Sequence, residues 1–148
     1  MTDKPTPGWF DELVSTARIN PEGYSYKVST NRLVSLGYAL SGWLYMLRWQ
    51  RNTRIQAVAS IVAFGLALFL KVGFLETAIL LLTITMVWMA EFINAAVEAV
   101  VNLASPEFHP MAKVAKDVAS AAVLLGVVAS IAIGLLILGP PLLRLWTG

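Results

Sequence analysis

A chain of 148 residues that is 57% hydrophobic and 14% charged, with a mean hydropathy of +0.70, has the balance of a small integral membrane protein; a soluble domain carries about 25% charged residues. Its formal charge of +2 is a weak reason to expect nucleic acid, and a membrane accounts for it better. With no cysteine and one histidine, His109, disulfides, thiol chemistry and a multi-histidine metal centre within one chain are excluded.

The first residues, MTDKPTPGWFDELV, lack the apolar core of a signal peptide, so insertion is expected to rest on uncleaved spans further in. Phe10, Leu13, Val14 and Ala17 recur at helical spacing, and Asn20–Gly23 reads as a turn. Residues 1–30 are read as an extension and 31–148 as the membrane domain. Over about 32–51, Leu33, Leu36, Leu40, Leu44 and Leu47 form an apolar stripe, accompanied by Trp43, Tyr45 and Trp49. Such aromatics favour the headgroup level, and the segment is expected to be an amphipathic helix on the membrane surface.

Three membrane spans are expected, at about 54–71, 75–101 and 116–138, giving an all-α fold. Ser105–Pro110 should break the chain between the second and third, because proline disfavours helical geometry before it. Gly139-Pro140-Pro141 should close the third. Seven basic residues precede the first span and two, Lys113 and Lys116, lie between the second and third, whereas Lys71 and Arg144 fall on the other side. This asymmetry places the N-terminus and the second loop in the cytoplasm. Alanines at 59, 63 and 67, and Ala122, Gly126, Ser130 and Gly134, make small-residue faces suited to close helix approach, and hence to an oligomer.

Within the second span, Glu91, Asn94, Glu98 and Asn102 fall at about 0°, 300°, 340° and 20° around a helix, a stripe about 80° wide. Carboxylates at the edge of a membrane span require a partner, an ion or water. Glu91 and Glu98 are about 10 Å apart along the axis, too far to share a proton but suitable for two tasks: a base, and an oxygen ligand for Mg²⁺. Asn94 between them could support the base. A polar seam joining helices explains the same spacing. Lys113, Lys116 and Asp117 open the third helix, where lysine is unfavourable unless an anion such as phosphate sits nearby. No G-x-x-x-x-G-K-[ST] loop and no protein-kinase signature occurs.

The run Glu91-Phe92-Ile93-Asn94-Ala95-Ala96-Val97-Glu98-Ala99-Val100-Val101 resembles the signature helix of the prokaryotic diacylglycerol kinase and undecaprenol kinase family. Phe108–Lys113 and Ala115–Leu124 resemble its second block, and Gly37-Tyr38-Ala39 and Arg51–Ile55 its weaker N-terminal block. The resemblance implies a homotrimeric, multi-pass enzyme of the bacterial inner membrane that transfers the γ-phosphoryl of Mg-ATP to a lipid hydroxyl. It would make Glu91 the general base, supported by Asn94, and Glu98 a Mg²⁺ ligand. Tyr38, Asn102, Glu107, His109, Lys116 and Asp117 would line the nucleotide site, with Ser120 near the lipid. Gln50, at the second metal position, stands where the family often has glutamate, and Asn102 where it often has aspartate. Diacylglycerol is the expected acceptor and undecaprenol the alternative. A non-catalytic bundle or transport-related subunit, with no Mg-ATP binding, is the rival from another class.

Overall fold

The computed structural model describes residues 32–147, which form four helices: α1 (Arg32–Trp49), α2 (Arg51–Phe69), α3 (Phe74–Ala104) and α4 (Pro110–Thr147). No strand occurs among the described residues. The readings of residues 1–30 lie outside them. By compactness the chain divides between Gly42 and Trp43, so that α1 begins in one unit and ends in the other.

Three helices, α2, α3 and α4, are long and apolar enough to cross a membrane. The α2–α3 turn is set by a helix stop. Lys71 takes a left-handed backbone conformation (φ 52°), while the Val72 N–H donates to Ala67 O at 3.0 Å and Lys71 N–H to Leu68 O at 3.2 Å. These two reversed bonds are a Schellman closure, in which glycine is usual at the left-handed position. Lysine there costs roughly 1 kcal/mol. Val72 offsets this by packing on the Ala67, Leu80 and Leu138 cluster that ties the three spans together at that end.

This closure makes α2 and α3 antiparallel, and Trp88 fixes their register by donating from Nε1 to Ser60 Oγ at 3.1 Å. The first turns of α2 therefore lie at the level of Glu91. Ser60, Thr83 and Thr85 donate to backbone carbonyls one turn back, which pairs the Ser60 and Thr83 hydroxyls inside the bundle and the Thr85 hydroxyl on its exposed face. Trp43 stacks on Trp88 with centroids 4.9 Å apart, and Phe92 completes the aromatic cluster.

At the other end Ser105–His109 breaks the chain as expected. Pro110 occupies the first position of α4, where its missing N–H is harmless. His109 acts as the cap: its carbonyl accepts from Lys113 N–H at 3.1 Å and its Nδ1 from Met111 N–H at 3.2 Å. The expected stop at Gly139-Pro140-Pro141 is a misreading. Helix α4 runs through both prolines to Thr147: each withholds one N–H and crowds the carbonyl one turn back, a local cost that a membrane-spanning helix tolerates without ending.

Leu80→Ala tests the inter-span packing. Lipid is as apolar as leucine, so the transfer part of the penalty largely vanishes and the loss of contact remains, about 1–2 kcal/mol. A lower midpoint in detergent-induced unfolding is the expected readout.

Candidate active site

The polar stripe of α3 is graded in exposure. Glu91 is 2% exposed and Asn94 is buried, Glu98 is half-buried, and Asn102 is exposed. Counted from Phe74, about 20 residues span the hydrocarbon of a bilayer, which reaches Asn94. The deep part of the stripe thus meets the membrane boundary, and the shallow part extends past it.

The stripe is cross-linked to α4 at two levels. At the deeper level Ser120 Oγ donates to Asn94 Oδ1 at 3.5 Å, and Asn94 Nδ2 donates to Glu98 Oε1 at 3.3 Å. This relay fixes the orientation of the Asn94 amide and of one Glu98 oxygen. Glu91 lies beside it, and its Oε2 is buried without a hydrogen-bond partner. Asn52, from the first turn of α2, is turned toward the Glu91 carboxyl. Two further buried oxygens of α2, Thr53 Oγ1 and Gln56 Oε1, also lack partners, and Thr53 is fully buried. Unpaired buried polar atoms are uncommon, and their concentration at one depth is the mark of a ligand, water or ion site.

At the shallower level Lys116 Nζ donates to Asn102 Oδ1 at 2.6 Å, while Lys113 and Asp117 form an ion pair one helical turn apart. Both pairs line a cavity of about 420 Å³, closed by the Ser105–His109 loop and including Glu107 and His109. Its walls mix apolar side chains with charges of both signs, Lys113 and Lys116 against Glu107 and Asp117. Ser105 Oγ holds the loop by donating to Glu107 O at 2.9 Å.

Of the residues named from sequence, Glu91, Asn94, Glu98 and Ser120 thus gather at the deep level. Asn102, Glu107, His109, Lys116 and Asp117 share the cavity. Gln50 sits half-buried at the α1–α2 junction, where its N–H donates to Met46 O at 3.0 Å and its side chain makes no cap. Tyr38 is an exposed residue of α1 in the first compact unit. Asn52 and Thr53 were missed as individual site residues. Their signal was two polar residues beginning an apolar span, visible only inside the R-N-T-R block.

No cluster of three or more acidic, histidine or cysteine side chains able to cage a metal occurs among the described residues. Mg²⁺ is commonly held by one or two carboxylates together with substrate phosphates. The stripe offers two carboxylates, the buried Glu91 and the half-buried Glu98.

The family model for prokaryotic diacylglycerol kinase matches residues 37–138. The chain belongs to this family. It is 38% identical over 122 residues to a diacylglycerol kinase of Synechocystis sp., covering 82% of this chain and 70% of that one. A diacylglycerol kinase of Pseudomonas aeruginosa is 30% identical, covering 70% of this chain and 85% of its own length. An undecaprenol kinase of Bacillus subtilis is 36% identical over 64% of this chain and 77% of its own. The family member described here is a lipid kinase, and its two-level polar site joins α2, α3 and α4.

Proposed function

We propose that the chain phosphorylates diacylglycerol, taking the γ-phosphoryl group from Mg-ATP at the cytoplasmic face and leaving phosphatidic acid and ADP. The observation that carries this reading is the division of one helix stripe into a buried carboxylate at the membrane edge and, beyond it, a cavity lined by Lys113 and Lys116. A lipid hydroxyl reaches the first from the bilayer, and a nucleotide reaches the second from water.

In this mechanism Glu91 accepts the proton of the lipid hydroxyl as its oxygen attacks the γ-phosphorus. The bond from that phosphorus to the β–γ bridging oxygen breaks, and ADP carries the electron pair away. Asn94, held by Ser120 and Glu98, orients the acceptor. The buried oxygens of Thr53 and Gln56 supply polar contacts for its headgroup. Lys116 and the His109 loop bind the polyphosphate, with Asp117 holding Lys113. Mg²⁺, when bound, neutralises phosphate charge, with Glu98 as its ligand and Gln50 as the proposed second one. Phosphoryl transfer depends chiefly on such positioning and charge compensation.

The assembly is a homotrimer, in which α1 lies on the membrane surface and Tyr38 lines a nucleotide site. Presented with both lipids and labelled ATP, vesicles containing the chain are expected to yield labelled phosphatidic acid. Label on polyprenyl phosphate alone would transfer the assignment to undecaprenol, the acceptor in the name of the Bacillus relative.

Orientation is open to direct measurement because the sequence holds no cysteine. Lys113→Cys should react with an impermeant maleimide only from the cytoplasmic side, and Val72→Cys only from the other. The reverse pattern would separate the cavity from cellular nucleotide and overturn the proposed sidedness.

A further inference from the structure

We propose that Asn102 is a positioning residue that holds Lys116 over the nucleotide phosphates without neutralising its charge. The proposal rests on the kinase reading above and concerns why an amide, rather than a carboxylate, stands at this place. Lysine only donates hydrogen bonds, so the 2.6 Å contact fixes the Asn102 carbonyl oxygen on Nζ. The Asn102 Nδ2 is thereby turned away from lysine, leaving its two N–H groups to donate elsewhere in the cavity. Lys113 is balanced by Asp117. Among the described residues, neither Asp117 nor Glu107 comes within ion-pair distance of Lys116. Lys116 is therefore tethered by a neutral partner and makes no direct ion pair with either acid of the cavity it shares with both. A polyphosphate would meet a full positive charge and an adjacent amide donor.

An aspartate at 102 would keep the tether and reverse both advantages. It would pair with Lys116, replace the amide donors by an acceptor, and place a negative charge beside the phosphates. Alanine would remove the tether alone. The test is equilibrium binding of a non-hydrolysable Mg-ATP analogue to the full chain in vesicles. Wild type is expected to bind tightest, Asn102→Ala about twofold more weakly, and Asn102→Asp about fivefold more weakly, the scale of exposed charge interactions. The Asn102→Asp deficit should shrink as salt screens it. In turnover it should raise the KM for nucleotide and leave the KM for lipid unmoved. Binding by Asn102→Asp that equals or exceeds that of Asn102→Ala would overturn the proposal while leaving the kinase reading intact. Failure of the wild type to bind the analogue would sink both.

Discussion

Glu91→Gln is expected to lower phosphate transfer to diacylglycerol about 10³-fold, within the range that a positioned general base contributes. Glutamine has the shape of glutamate but cannot take the hydroxyl proton. The substitution should leave the bundle intact, because glutamine keeps a carbonyl oxygen for the Asn52 side chain, Glu91 Oε2 has no hydrogen-bond partner, and the relay from Ser120 through Asn94 ends on Glu98 instead. Initial rates, with oligomeric mass measured on the same preparation, check both halves. Normal assembly with activity gone is the result required of a base. A purely structural polar seam requires the opposite, a disturbed assembly.

Lys116→Met should reduce kcat/KM for ATP about 10²-fold, since removing one group that stabilises charge in the transition state commonly costs that much. Methionine retains much of the apolar stem, so the loss reports the charge and its hydrogen bond to Asn102. Lys116→Arg should recover only part of the activity. The guanidinium keeps the charge but replaces a compact donor by a planar fork, which cannot sit on one amide oxygen and a phosphate in the same way. Steady-state kinetics with ATP varied at saturating lipid resolve the two variants. Lys113→Met gives the contrast: its charge is already matched by Asp117, and a much smaller effect is expected.

The membrane bundle was legible because hydropathy and proline reflect local chemistry. The spans follow from apolar length, and the break at Ser105–Pro110 follows from proline's backbone restrictions. Helix spacing likewise placed Glu91, Asn94, Glu98 and Asn102 on one face. Spacing could not assign their depths, because burial comes from what α2 and α4 lay against that face. Asn52 and Thr53 escaped for the same reason: their importance lies in the antiparallel register set by Trp88 and Ser60. Spacing places the lysines in the first turns of α4 but not their partners, which are non-local or one turn away. Asp117 takes Lys113 and Asn102 takes Lys116. The prolines at 140 and 141 misled because a rule for isolated breaks was applied to a long apolar helix, whose neighbouring turns continue despite the missing donors.

Asn102 changes in meaning once its partner is known. In the sequence it stands out only as an amide where the family often has aspartate. Bonded to Lys116, it keeps a cation available where an aspartate would spend that cation on an ion pair.

The most direct measurement is phosphate transfer itself, with wild-type chain in diacylglycerol-containing vesicles and γ-labelled ATP supplied with Mg²⁺. Labelled phosphatidic acid, lost when Mg²⁺ is chelated, is the result expected of the α3 stripe. A correctly assembled protein that binds Mg-ATP but labels neither diacylglycerol nor undecaprenol would contradict it.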